Sequence, residues 1–314
     1  MAEIHLPRTQ PLVSGTWSAL LILIGIILIG MAIGSILGVG LLTLIGDGDF
    51  NLNEIIAAGA TAAYDAESWL RVILLQAVYH LFSFLIPALV FWKLVERKGT
   101  EAFNLQNRNS YAGLVPIFFL TIVLMPFTGM ISEWNESMIL PDSLSGIEAW
   151  MKENELTLAN LTEYFLSFQT IGQLLIAVVV IAIIPAIGEE VLFRGILQRK
   201  LAEHWANVHL AIWVSAFIFS VIHFQFYGFF PRLFLGAMFG YLYFWTGRLA
   251  MAIFAHFVNN AVTVVLMWMY RQKMIDVDIA SSQSVPVWTG LLSLVAALWL
   301  LRIVYKSTPG SAAA

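Results

Sequence analysis

Apolar positions gather into eight long runs, near residues 17–45, 69–95, 111–131, 170–203, 209–226, 231–246, 249–270 and 287–305, with short polar stretches between them. A helix needs about 20 apolar residues to cross the hydrocarbon core of a bilayer. The pattern therefore predicts an all-α fold: a polytopic bundle of about eight transmembrane helices forming one membrane domain over 1–314. The fourth run is apolar only as far as Ile187 and then turns amphipathic. The sixth is short and carries Gly228, Gly236, Gly240 and Gly247, and small residues in such a helix let a neighbour approach closely. Residues 133–168 differ from all eight. They alternate apolar and polar positions at helical spacing among many acids, which predicts an external amphipathic helix at the interface, with an ordinary loop packed on the bundle as the alternative.

Composition agrees with the pattern. Of 314 residues 60% are hydrophobic and 11% charged, against roughly one-quarter charged in soluble domains. The net charge of −4 gives no reason to expect a nucleic-acid partner. The absence of cysteine excludes disulfides, thiolate metal sites and a cysteine nucleophile. Charge is also unevenly placed. Lys93, Arg97, Lys98 and Arg108 separate the second and third runs, and Arg199 and Lys200 follow the fourth, whereas residues 46–68 carry Asp47, Asp49, Glu54, Asp65 and Glu67 and no Lys or Arg. The positive-inside rule then puts both termini in the cytoplasm. Residues 1–16 lack the short apolar core and cleavage site of a leader, so Trp17 begins a retained first helix. Trp69, Trp92, Trp134, Trp245 and Trp268 fall near run ends, where interfacial anchoring is expected.

Charge near hydrocarbon is costly, which singles out "GEEVLFRG" at the end of the fourth run. On an α-helix Glu190 and Arg194 are i and i+4 and form a pair on one face. Glu189 points about 100° away and has no such partner, leaving it suited to proton exchange. The fifth run contains "FSVIHF", with His223, and the seventh contains "AHFVNNAV", with His256 one turn before Asn260. Glu189 and His223 are equally distant from residue 206 in the polar "EHWAN" connection. In a helical hairpin turning there they lie at one depth, roughly 25 Å from the tip. His256 and Asn260 lie roughly 12 and 18 Å from the next turn, at Gly247–Arg248. A carboxylate and an imidazole at one depth can activate water, with Glu189 as general base and His223 sharing or orienting the proton. His256 and Asn260 can donate to a developing oxyanion. Neither GxSxG nor HExxH occurs, which disfavours serine and HExxH-type zinc mechanisms.

Other readings use the same residues. Glu189, His223 and His256 are acceptable zinc ligands. Alternatively, the buried polar groups hold helices together or bind a solute in a non-catalytic scaffold or transporter, although no inverted hydropathy repeat is evident. "GDGDF" at 46–50 and "YD" at 64–65 imitate aspartyl-protease motifs but in reversed order and within an acidic loop. Asp47, Asp49, Asn51 and Glu54 lack the glycine of a calcium loop. His80, in "QAVYHLFSF", is expected to hydrogen-bond to a neighbouring helix rather than line a substrate cavity.

Taken together, "EEVLFR", "FSVIH" and "HFVNN" read as EExxxR, FxxxH and HxxxN in that order. This resembles the CPBP family of intramembrane proteases, the CAAX prenyl endopeptidase and bacteriocin-processing (Abi) group, over about residues 170–270. The resemblance implies a bundle of eight spans and an endopeptidase acting on a membrane-associated protein or peptide, prenylated or bacteriocin-like. It implies that Glu189 and His223 activate water, that His256 and Asn260 form the oxyanion site, and that Glu190 and Arg194 brace the helix. Asn259, at i+3, also faces His256, but the family spacing selects Asn260. No metal or other cofactor is implied. The expected partners are the substrate and the lipid bilayer, in a bacterial plasma membrane.

Overall fold

A computed structural model describes residues 10–45, 65–104, 113–276 and 285–307. The acidic stretch with GDGDF, Asp47, Asp49, Asn51, Glu54 and Tyr64 lies outside those residues, as does Arg108. The helices are α1 (Thr16–Ile45), α2 (Ala66–Val95), α3 (Leu114–Glu136), α4 (Ser145–Phe165), α5 (Ile171–Trp205), α6 (Val208–Val221), α7 (Phe229–Thr246), α8 (Leu249–Arg271) and α9 (Val287–Ser307). No strand occurs among the described residues. The chain is an integral membrane protein built as a helical bundle. Each of the eight apolar runs is a helix, and six, α1, α2, α3, α5, α8 and α9, are long and apolar enough to cross a membrane. The exceptions are α6, with 14 residues, and α7, with 18. The amphipathic stretch 133–168 divides between the end of α3 and the separate helix α4.

Helix ends follow local chemistry. Asp65 caps α2 by accepting from the Ser68 N–H at 2.8 Å, so this acid of the loop has a local structural role. Thr170 and Gln173 form a capping box at the start of α5. The predicted turn at 206 is present: α5 ends on Ala206 in the left-handed region (φ 49°), and Asn207 caps α6 through the Leu210 N–H. Gly247 (φ 65°) ends α7 in the same conformation.

Both α2 and α5 contain wide π turns, at Leu81–Leu85 and Phe91–Val95 in the first and Val178–Ile183 and Val191–Gln198 in the second. Pro87 and Pro185 sit beside two of these turns. A proline in a helix lacks the N–H that would bond four residues back, and the wider turn is one way to accommodate that loss.

Close contacts between helices depend on missing side chains. A Cβ on Gly30, Gly34 or Gly38 of α1 would overlap α2 at Phe82 or Leu75. One face of α1 therefore lies directly on α2, as small-residue stripes permit in membranes. On the far side, α9 grips the bend in α3 at Pro126. The Ser293 hydroxyl donates to the Val123 carbonyl at 2.5 Å and accepts from the Phe127 N–H at 3.1 Å.

Not every tryptophan is an anchor at the interface. Trp134 is half exposed, but Trp69 and Trp92 are buried. Their indole N–H groups donate to Phe165 O at 3.0 Å and to Gly99 O at 2.9 Å, which ties them to the protein rather than to headgroups. Just beyond α2, buried Glu96 meets Lys200 at 2.5 Å and Lys98 at 3.0 Å. Burial works against its ionisation, but the two ammonium groups hold its carboxyl below the usual range.

Replacing Ser293 with Val should leave a main-chain donor and acceptor unpaired at the bend in α3. We expect a loss of about 1–3 kcal/mol, read as a lower unfolding midpoint in detergent.

Candidate active site

The site is assembled around two adjacent carboxylates on α5. Glu189 and Glu190 occupy the last turn of its central α segment, Ile184–Glu190, between the two π turns. Both are buried, Glu189 5% exposed and Glu190 0%. In hydrocarbon such groups must be paired or serve a function.

Glu190 is paired. Its Oε1 accepts from Arg194 Nη1 at 2.6 Å and from His256 Nδ1 at 2.8 Å, so the predicted i,i+4 pair is present and has a third member from α8. Arg194 Nη2 donates to the Gly236 carbonyl at 2.9 Å. One turn on, Gln198 donates to the Gly240 carbonyl at 3.2 Å. The two bonds run in parallel from α5 to α7 across a contact that Gly236 and Gly240 keep open. The guanidinium also lies over the rings of Phe219 (4.7 Å) and Phe239 (5.5 Å).

Glu189 has a different environment. Its Oε2 faces His256 Nε2 at 3.8 Å and its Oε1 faces His80 Nε2 at 3.4 Å; no arginine or lysine within ion-pair distance neutralises it among the described residues. The His256 tautomer follows from its other nitrogen. Because Nδ1 donates to a carboxylate, a neutral ring presents the Nε2 lone pair to Glu189. The ring is held flat against Phe239, with centroids 5.0 Å apart.

His223 does not sit as expected. Its helix stops at Val221 rather than continuing to 226, and His223 lies in the following turn, where Phe224 adopts φ 52°. Such a value is unusual for a bulky residue and stores strain, a feature that concentrates at functional sites. The Nδ1–H donates to the Phe219 carbonyl at 2.7 Å, which leaves Nε2 as an acceptor in the neutral ring. Among the described residues no hydrogen bond or ion pair joins His223 to Glu189; its link to the site runs through Phe219. Phe219, the first letter of FxxxH, has two roles: its ring lies under Arg194 and its carbonyl sets the His223 tautomer.

Asn260 also has a structural duty. Its Nδ2 donates to the Ile181 carbonyl at 3.3 Å, the acceptor that Pro185 deprives of its usual donor. Its Oδ1 accepts from Asn259 Nδ2 at 3.2 Å, so both asparagines belong to one arrangement.

Sequence reasoning directed His80 to a neighbouring helix without naming its partner, which is Glu189 of α5, and it missed a second residue altogether. Arg232, in the first turn of α7, donates to the side chain and carbonyl of Gln225 and lies within electrostatic reach of Glu189, His223 and Glu155. Among the described residues no group of three His, Cys, Asp or Glu is arranged to hold a metal ion. A cavity of about 300 Å³ lies beside the His223 turn rather than at the glutamates, lined by Met138, Leu140, Met151, Phe217, Phe226 and Phe230 among others.

Residues 171–262 match the family described as Type II CAAX prenyl endopeptidase Rce1-like. Over this segment the chain is similar to that family. The segment holds Glu189, Glu190, Arg194, His223, His256 and Asn260 but not His80. The uncharacterized protein YpbD of Bacillus subtilis (strain 168) is 30% identical over 89 residues, which is 27% of this chain and 42% of that protein's length. No solved structure matches the chain. The Rce1-like family is a family of membrane proteases.

Arg194→Met should leave the Glu190 carboxyl buried without its guanidinium partner, at a cost of about 3–5 kcal/mol. The double variant Glu190→Gln/Arg194→Met should recover much of this, measured as unfolding midpoints in detergent. Asn260→Leu should cost about 1–3 kcal/mol by leaving the Ile181 carbonyl unpaired, a loss in the same measurement that would be independent of any effect on turnover.

Proposed function

We propose that the protein is an intramembrane endopeptidase in which Glu189 activates the hydrolytic water. The observation that carries this reading is a carboxylate buried in a membrane bundle with no arginine or lysine paired to it among the described residues, facing imidazoles from two other helices. Its neighbour Glu190 has taken the guanidinium, so the two acids are separated in role by their surroundings.

In this mechanism Glu189 removes a proton from water as the oxygen attacks the scissile carbonyl carbon. The carbonyl π electrons move to oxygen, and the tetrahedral oxyanion is met by donors. The second N–H of Asn260 is assigned that task, joined by His256 once its Nε2 lone pair has accepted the water's proton shared with Glu189; the His223 Nε2 is a further acceptor for that proton. Collapse of the intermediate breaks the C–N bond, and the proton held by Glu189 passes to the leaving amine. Glu190 and Arg194 act indirectly: they fix the His256 ring and the contact between α5 and α7. The substrate is a membrane-associated protein or peptide, prenylated or bacteriocin-like. The apolar cavity beside the His223 turn suits one of its hydrophobic side chains.

Zinc hydrolysis with the same residues is the competing chemistry, since each oxygen of Glu189 faces an imidazole nitrogen. Membrane proteomes from cells carrying the wild type and Glu189→Gln distinguish the outcomes. We expect uncleaved precursors to accumulate with the variant, and turnover of such a precursor by purified Glu189→Gln to fall by about 10²-fold or more. Wild-type cleavage should persist in chelator. Identical proteomes would remove the peptidase reading, and loss in chelator reversed by added zinc would move the chemistry to a metal.

A further inference from the structure

We infer that His80 of α2 is a positioning residue for Glu189, holding its Oε1 by donation from Nε2–H so that the opposite oxygen, Oε2, handles the proton. This rests on the reading of Glu189 as the base.

Three observations support it. First, His80 Nε2 lies 3.4 Å from Oε1 of Glu189, is buried and has no hydrogen-bond partner among the described residues. A polar nitrogen left unpaired in a packed membrane core is expensive, and the oxygen facing it is the available acceptor. The contact is long and not aligned as a hydrogen bond, and catalytic contacts of this kind often align and tighten only when substrate binds.

Second, the fold brings His80 to this place by specific means. Gly188 precedes Glu189, and a Cβ there would lie 3.3 Å from both the Leu85 nitrogen and Phe84 Cβ. Glycine at 188 thus lets α5 approach the backbone of α2 one turn past His80. The imidazole is stacked on Phe84, with centroids 4.6 Å apart, so its orientation is set by packing as well as by the helix.

Third, the two imidazoles facing Glu189 are not equivalent. The His256 Nδ1–H is committed to Glu190, so its Nε2 offers a lone pair to Oε2. No second partner commits His80 to that tautomer, and it can place its proton on Nε2 and donate. The carboxyl group is then held by a donor at one oxygen and faces an acceptor at the other. A proton taken from water settles on Oε2, where His256 can share it. His80 lies outside residues 171–262, so α2 supplies a part of the site that the matched core lacks.

Two measurements test this. In full-length protein labelled with ¹⁵N-histidine, His80 resonances are assigned by their loss in His80→Phe. Its Nε2 should be of the protonated, pyrrole type and should shift on Glu189→Gln. In turnover of the peptide that Glu189→Gln fails to cleave, His80→Phe keeps the ring stack but removes the donor. It should lower kcat about tenfold to a hundredfold with KM little changed, and His80→Gln, which retains an N–H, should recover part of the loss. A pyridine-type Nε2 in the wild type, or a resonance indifferent to Glu189→Gln, overturns the inference without any substrate. So does His80→Phe with wild-type kcat, or a loss in His80→Gln that exceeds that in His80→Phe, which would mark a packing role. If Glu189→Gln retains full turnover, the functional reading fails instead, and the nitrogen spectrum alone still decides whether His80 holds the carboxylate.

Discussion

The arrangement depends on the neutralisation of one buried charge. Glu190 could not stay ionised in the core of a membrane bundle without Arg194, and Arg194 could not be buried without Glu190, the Gly236 carbonyl and two aromatic faces. Burying both costs several kcal/mol per ion, repaid only by near-complete coordination. That coordination has structural consequences: α7 is drawn against α5, and α8 is fixed through the His256 Nδ1–H. Once Glu190 has absorbed the positive charge, Glu189 is left beside it with imidazoles alone. The chemically useful group is thus a product of its neighbour's requirements.

The backbone carries the same logic. Prolines and π turns break the regular ladder of α2 beyond His80 and of α5 on either side of Glu189, and in α5 the Asn260 side chain repairs part of it. Asn260 serves the Ile181 carbonyl freed by Pro185, as Ser293 serves the bend at Pro126. In lipid there is no water to take over such groups, so the carbonyl freed at Ile181 takes a polar partner from another helix. Polar residues in the bundle can therefore serve two ends, and Asn260 illustrates both: a structural donor to Ile181 whose remaining N–H we assign to the oxyanion.

Several features were legible in one dimension. Hydropathy located each helix because lipid forbids exposed backbone and demands long apolar runs. The i,i+4 spacing of Glu190 and Arg194 predicted their pair because helix geometry fixes which neighbours share a face. The turns at 206 and 247 were readable from polar and glycine residues, but the meeting of Glu189 and His223 expected from the first is not made, because α6 stops at Val221 and His223 lies in the turn beyond it. The resemblance carried by EExxxR, FxxxH and HxxxN extended over the same stretch that the family match covers.

What spacing encodes is position along a helix; which helix stands beside which, and at what rotation, depends on the packing of the whole bundle. His80 is invisible as a partner of Glu189 until Gly188 seats α5 on α2. His223 leaves its helix because the chain turns at Phe224, and Trp69 and Trp92 point inward where their run-end positions predicted the interface. The sequence by itself determined a membrane-embedded helical protein and the residues with chemistry to offer. Tertiary structure decided which of those residues face each other, because lateral contacts are set by the shapes of many side chains at once, and no local pattern contains them.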